Sequence, residues 1–100
     1  MVDLSGITGF DWDDGNIRKS DEKHGISPRD AEQVFLDPRL LILLDEQHSG
    51  VEKRFHAYGQ TATGHLLLVS FTLRRSETLI RVISARAMSR RERKRYVEEI

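Results

Sequence analysis

The 100-residue chain is 38 % hydrophobic and 32 % charged, with no cysteine and a net charge of zero. This is a globular composition, not a disordered one, and it excludes disulfides and thiolate metal sites. No apolar run approaches the roughly 20 residues of a membrane span, and Met1 to Phe10 lack the basic start and apolar stretch of a signal peptide, so a cytoplasmic location is expected.

The zero conceals an asymmetry. Residues 1–46 carry five bases against eleven acids, about −6, and the remainder carries eleven bases against five acids, about +6. Such segregation fits a basic surface for a polyanion or an acidic partner. It equally fits two halves that neutralise each other across the fold.

In chain order, residues 1–9 read as a loosely held terminus and 10–100 as a single domain. Asp13 to His24 reads as a helix with Gly25 as its stop, although Gly15 and Asn16 weaken its first turn. Ser27-Pro28-Arg29-Asp30 starts a second helix. Ser27 is the cap, Pro28 sits where its missing N–H costs nothing, and Asp30 complements the helix dipole. Ala31, Val34 and Phe35 share its apolar face, and Asp37-Pro38 terminates it after about Leu36.

Four strands are expected next. Leu40 to Leu44 is an apolar run typical of a well-covered strand. Glu52 to Tyr58 alternates, with Glu52, Arg54, His56 and Tyr58 on one side and Lys53, Phe55 and Ala57 on the other. Leu66 to Arg74 carries Leu67, Val69, Phe71 and Leu73 on one face, and a polar turn flanked by Gly59 and Gly64 makes a hairpin of these two strands. A tight link at Arg75-Ser76-Glu77 leads to Thr78–Ala85, rich in β-branched residues. Ser89 and Glu92 form a capping box for a charged last helix whose apolar contacts are Tyr96, Val97 and Ile100. The expected class is α+β: two N-terminal helices, a four-stranded, mainly antiparallel sheet and a C-terminal helix.

Phe10-Asp11-Trp12-Asp13, Lys23-His24-Gly25-Ile26-Ser27, Glu52-Lys53-Arg54-Phe55, Arg81-Val82-Ile83-Ser84-Ala85-Arg86 and Ser89-Arg90-Arg91-Glu92-Arg93 with Tyr96 occur in an order and spacing that resemble the BrnT toxins. The resemblance covers roughly residues 10–98. It implies a RelE-like fold with a curved antiparallel sheet and helices on one face. It also implies a ribonuclease that halts translation. The implied partner is a BrnA-like ribbon–helix–helix antitoxin, and operator DNA is reached only through the toxin–antitoxin complex.

Metal-free RNA cleavage needs a base for the 2′-hydroxyl, positive charge on the phosphate oxygens and a proton for the leaving oxygen. Arginine suits the second task through its planar fork. On this reading the catalytic candidates are Glu52, Arg54, Arg81, Arg86 and His24, with no metal or other cofactor. Arg54 and Arg86 would grip the scissile phosphate, and Arg81 would support it. Lys23, His56, Tyr58, Arg90, Arg91 and Lys94 are the RNA-binding candidates. Arg81 and Arg86 differ by an odd number of positions, so a bulge or the strand end must reconcile them if both touch RNA.

Simpler roles compete. Glu52 and Arg54 suit a surface ion pair, His24 a helix end, Trp12 burial against the sheet, and Arg90–Arg95 a solvated helix face. His48, His56 and His65 lack metal-ligand spacing, and no serine or cysteine nucleophile pattern is evident. The rival to an enzyme is a non-catalytic binding module that acts as co-repressor with a DNA-binding antitoxin.

Overall fold

The computed structural model describes residues 2–99, with the backbone alone for residues 20–23 and 99. The elements are β1 (Gly9–Phe10), α1 (Asp14–His24), α2 (Pro28–Val34), β2 (Leu41–Leu44), β3 (Phe55–Gln60), β4 (Leu66–Arg74), β5 (Leu79–Ala87) and α3 (Arg90–Glu99). The sheet is five-stranded and mixed, in the order β1-β5-β4-β3-β2. The expected four strands are therefore joined by a fifth, β1, which runs parallel to β5. Two residues are too few to display a period of two, so β1 leaves no signature in the sequence. Thr8 and Asp11 extend the pairing by donating their backbone N–H groups to Thr78 and Ile80.

Local chemistry accounts for the helix starts. Ser27 is extended and its side chain accepts from the Asp30 amide, with Pro28 in the first turn. At α1 the Asp13 carboxylate accepts from the amides of Gly15 and Asn16, while Asn16 Oδ1 accepts from Asp13 N at 2.7 Å. This reciprocal cap turns the apparently weak opening into an anchored one. Gly25 follows α1 with φ of 69°, which a side chain would strain. The second helix ends at Val34, earlier than expected. Phe35 and Leu36 bond to the carbonyls three residues back, a tightening typical of a last turn.

The core occupies one face of the sheet. Ala57, Leu67, Val69, Phe71, Ile80, Val82 and Ala85 are buried there against Ala31 and Val34 of α2. Phe35 meets Phe10 and Phe71 edge-on, at 5.6 and 5.1 Å. Each fully buried aliphatic or aromatic side chain contributes about 1.5–3 kcal/mol. Gly59 lies inside β3 opposite Leu67, not just past the strand at the edge of the turn as expected. A Cβ there would stand 2.8 Å from Val34 Cγ1 and 2.9 Å from Val34 O, so glycine is what lets α2 approach the strand.

The other face carries a second cluster of Tyr58, Leu68, Met88 and Tyr96. The implied placement of the helices on one face is thus corrected: α2 covers one side of the sheet and α3 one end of the other. Strand β2 is an edge strand, although its apolar run read as well covered. Ile42 turns to the α2 side and Leu41 and Leu43 to the α3 side, which explains the uninterrupted run, while Leu44 remains 45 % exposed. On α3, Tyr96 is buried and its hydroxyl donates to Asp37. Val97 is exposed, contrary to its expected packing, and Ile100 lies outside the described residues.

Candidate functional site

The site lies on the open face of the sheet, and its geometry begins with an irregularity. Ser70 pairs with Ser84 but Phe71 pairs with Val82, so Ile83 is an extra residue in β5. The bulge shifts the alternation by one. Arg86 opposes Leu68, Ser84 opposes Ser70 and Arg81 opposes Thr72, so both arginines rise from the face opposite the α2 core. The side chain of Asn16, itself buried, donates to Asp11 O and to Val82 O, which ties α1 to the bulge.

Successive rows then cross this face. Leu41, Tyr58, Leu68 and Arg86 form one; Leu43, His56, Ser70 and Ser84 the next. Thr72 and Arg81 follow. Rows two residues apart are separated by about 6.7 Å, which places Arg81 and Arg86 about 13 Å apart along the sheet. The serine row, with its short side chains, lies midway between them.

Both arginines are held by carboxylates. Arg86 makes a bidentate pair with Glu92 at 2.7 and 2.8 Å, and Glu92 also accepts from Ser89 N, completing the expected capping box. The Arg86 guanidinium, with help from Ser89 and against the cost of burial, pulls the Glu92 carboxyl down to about 2. Glu92 in turn raises Arg86. Arg81 reaches Asp13 at 3.0 Å and Asp11 at 3.5 Å. The hydrogen bond from Arg81 lowers Asp13 below the ordinary carboxylate range.

Around Arg81 is a cleft of about 260 Å³ lined by Lys19, Glu52, Arg54, Thr72 and Arg74. Glu52 and Arg54 precede β3 instead of belonging to it, and the Thr72 hydroxyl pins their segment by donating to Lys53 O. Glu52 pairs with Arg74 and not with Arg54. Both partners are nearly half exposed, so the pair adds little to stability. Arg54 makes no ion pair among the described residues. A second cleft, of about 580 Å³, lies along α3 and is lined by Tyr58, Arg91, Glu92, Lys94 and Arg95. Burial, then the charge of Glu92, raises the Tyr58 hydroxyl above its ordinary value.

The structure therefore brings Glu52, Arg54 and Arg81 to one cleft, Tyr58, Arg91 and Lys94 to another, and places Arg86 and His56 between. Arg90 is exposed at the start of α3. His24 is exposed at the end of α1 and lines neither cleft, and the side chain of Lys23 lies outside the described residues. Trp12 packs against the core and donates to Glu32.

The sequence reading missed Lys19 and Arg74, which only the fold brings to the cleft around Arg81, and Arg95, read only as part of the Arg90–Arg95 helix face, lines the cleft along α3. It also missed Asp45 and Ser70, the partners of His56. His56 Nδ1 is 3.0 Å from Ser70 Oγ and Nε2 is 3.2 Å from Asp45 Oδ2. No spacing in the chain announces this serine–histidine–aspartate line. Among the described residues, no group of three His, Cys, Asp or Glu is placed to hold a metal ion, and no helix is long and apolar enough to cross a membrane. No curated protein matches the chain. The model of the family described as ribonuclease toxin, BrnT, of type II toxin–antitoxin system matches residues 12–92, and the chain belongs to that family.

Proposed function

We propose that this ribonuclease-toxin family member is an endoribonuclease that cleaves RNA without a metal and so arrests translation. The observation that carries the proposal is the β5 bulge, which sets Arg81 and Arg86 on one open face with small polar side chains between them. Two guanidinium groups flanking a shallow row, each held in place by carboxylates, turn their remaining N–H groups to the oxygens on which charge develops in a phosphodiester in flight. Arg86 is 40 % and Arg81 21 % exposed at the side chain, so phosphate oxygens can reach both without opening the core. About 13 Å of separation along the strand suits the two arginines to opposite sides of the scissile phosphate. Arg54 then serves the Arg81 side of the strand, not the same phosphate as Arg86. Arg91, Lys94 and Tyr58 extend the track along α3.

The partner in this reading is an antitoxin of the BrnA-like ribbon–helix–helix type. An acidic segment of it fills the basic face in place of RNA, and DNA is bound through that partner. Salt-sensitive association follows from such charge complementarity.

The test is incubation of purified protein with RNA in excess chelator, followed by analysis of the new ends. The expected products carry a 2′,3′-cyclic phosphate and a 5′-hydroxyl. Arg86→Ala should abolish cleavage while the protein remains folded and antitoxin-bound. Intact RNA with the wild-type protein, or cleavage only on adding a divalent cation, overturns the metal-free nuclease. The first outcome favours the co-repressor reading.

A further inference from the structure

Asp45 follows β2 directly, and its carboxylate is shared by two imidazoles. His48 Nδ1 is 2.9 Å from Asp45 Oδ2 and His56 Nε2 is 3.2 Å from the same oxygen. The His48 amide and the Ser49 hydroxyl, which donates to Asp45 O, fix the turn that presents it. The Asp45 side chain is only 10 % exposed. Burial pushes its carboxyl up, but the hydrogen bonds from the His48 side chain and amide, helped by the adjacent imidazoles, outweigh this and hold it below the ordinary range.

An ionised carboxylate can only accept, so the Asp45 carboxylate 3.2 Å from Nε2 favours the neutral His56 tautomer protonated there. In that tautomer Nδ1 is the acceptor, and the Ser70 hydroxyl at 3.0 Å is placed to donate to it. The second shared feature is position. The His56–Ser70–Ser84 row lies midway between the rows of Arg81 and Arg86, and the His56 side chain is 28 % exposed.

We infer that Ser70, His56 and Asp45 form the proton relay for RNA cleavage on this face, with Asp45 as its positioning residue. The inference rests on the nuclease reading above. The attacking 2′-hydroxyl passes its proton to Ser70 Oγ as the Ser70 proton moves to His56 Nδ1. A bond forms between the 2′-oxygen and phosphorus, and the bond from phosphorus to the 5′-oxygen breaks. The leaving oxygen takes a proton from water, and His56 later returns its own to solvent. Asp45 fixes the tautomer and stabilises the imidazolium that forms.

The experiment measures single-turnover cleavage of a mixed-sequence oligoribonucleotide in chelator. Binding is read separately with a non-cleavable 2′-deoxy version of the strand. His56→Gln, Asp45→Asn and Ser70→Ala should each lower kcat by about 100-fold. Their affinity should stay within about twofold of wild type, because the loss is confined to the transition state. Ser70→Thr, which keeps the hydroxyl, should recover most of the rate. Asp45→Asn combined with His56→Gln should be no worse than His56→Gln alone, since the three act as a unit. Melting of each variant is followed in parallel, so that Ser70→Ala remains decisive if Asp45→Asn does not fold. An active wild type with unaffected Asp45→Asn and Ser70→Ala overturns the relay alone. Losses in affinity with kcat unchanged overturn it as well. An inactive wild type overturns the nuclease reading and the relay with it.

Discussion

Glu92→Gln removes one charge from a junction where a strand arginine and a helix start share a carboxylate. Glutamine still accepts from the Ser89 amide, so the capping box survives in outline. What disappears is the ionic part of the interaction with Arg86. The fall of the Glu92 carboxyl from 4.5 to about 2 corresponds to at most ~3 kcal/mol. Arg86 is 40 % exposed, and solvent screening reduces this to ~1–2 kcal/mol. For a domain of this size that is a drop in Tm of about 5–10 °C at neutral pH. The carboxylate is depressed in the folded state, so its contribution is complete above 4.5 and is lost as pH falls through about 2. Roughly 40 % of it remains at pH 3. Thermal unfolding of wild type and variant between pH 7 and pH 2 should therefore give two curves that are well separated at neutrality and converge in acid. A gap that stays constant down to pH 2, or no gap at pH 7, refutes the assignment.

Gly59→Ala pushes a methyl group against Val34 Cγ1 and Val34 O, and because a backbone atom cannot swing aside it should cost about 1–3 kcal/mol in urea unfolding; an unchanged midpoint would mean that α2 stands further from β3. Asn16→Leu leaves Asp11 O, Val82 O and Asp13 N without their partner, and should cost at least ~2 kcal/mol by denaturant midpoint, whereas Asp14→Ala on the exposed side of the same turn should cost little. If RNA follows α3, Arg91→Ala with Lys94→Ala should lower the slope of log affinity against log salt by about 1.4, at ~0.7 for each phosphate no longer neutralised. An unchanged slope would remove α3 from the track.

Elements specified by their own neighbours were readable from the chain. Ser27-Pro28 and Ser89 with Glu92 mark helix starts because each cap is made within three residues. The period of two in β4 marks its buried face, since alternation needs no partner to be seen. The grouping of Arg81 and Arg86 was conditional on a bulge or on the strand end, and the register of β4 against β5 shows that it is a bulge.

What the chain alone decided is the order of the three helices and the four longer strands, the apolar faces, the caps of the second and third helices and the gathering of base-rich segments in its second half. Tertiary structure decided the rest. It added β1 beside β5, put Gly59 beneath α2, chose Arg74 over Arg54 for Glu52 and drew Asp45 and Ser70 to either side of His56. Each of these contacts joins residues from separate elements. Strand register and helix approach, set by the packing of the whole core, determine whether they meet, and a local pattern of residues carries no record of either.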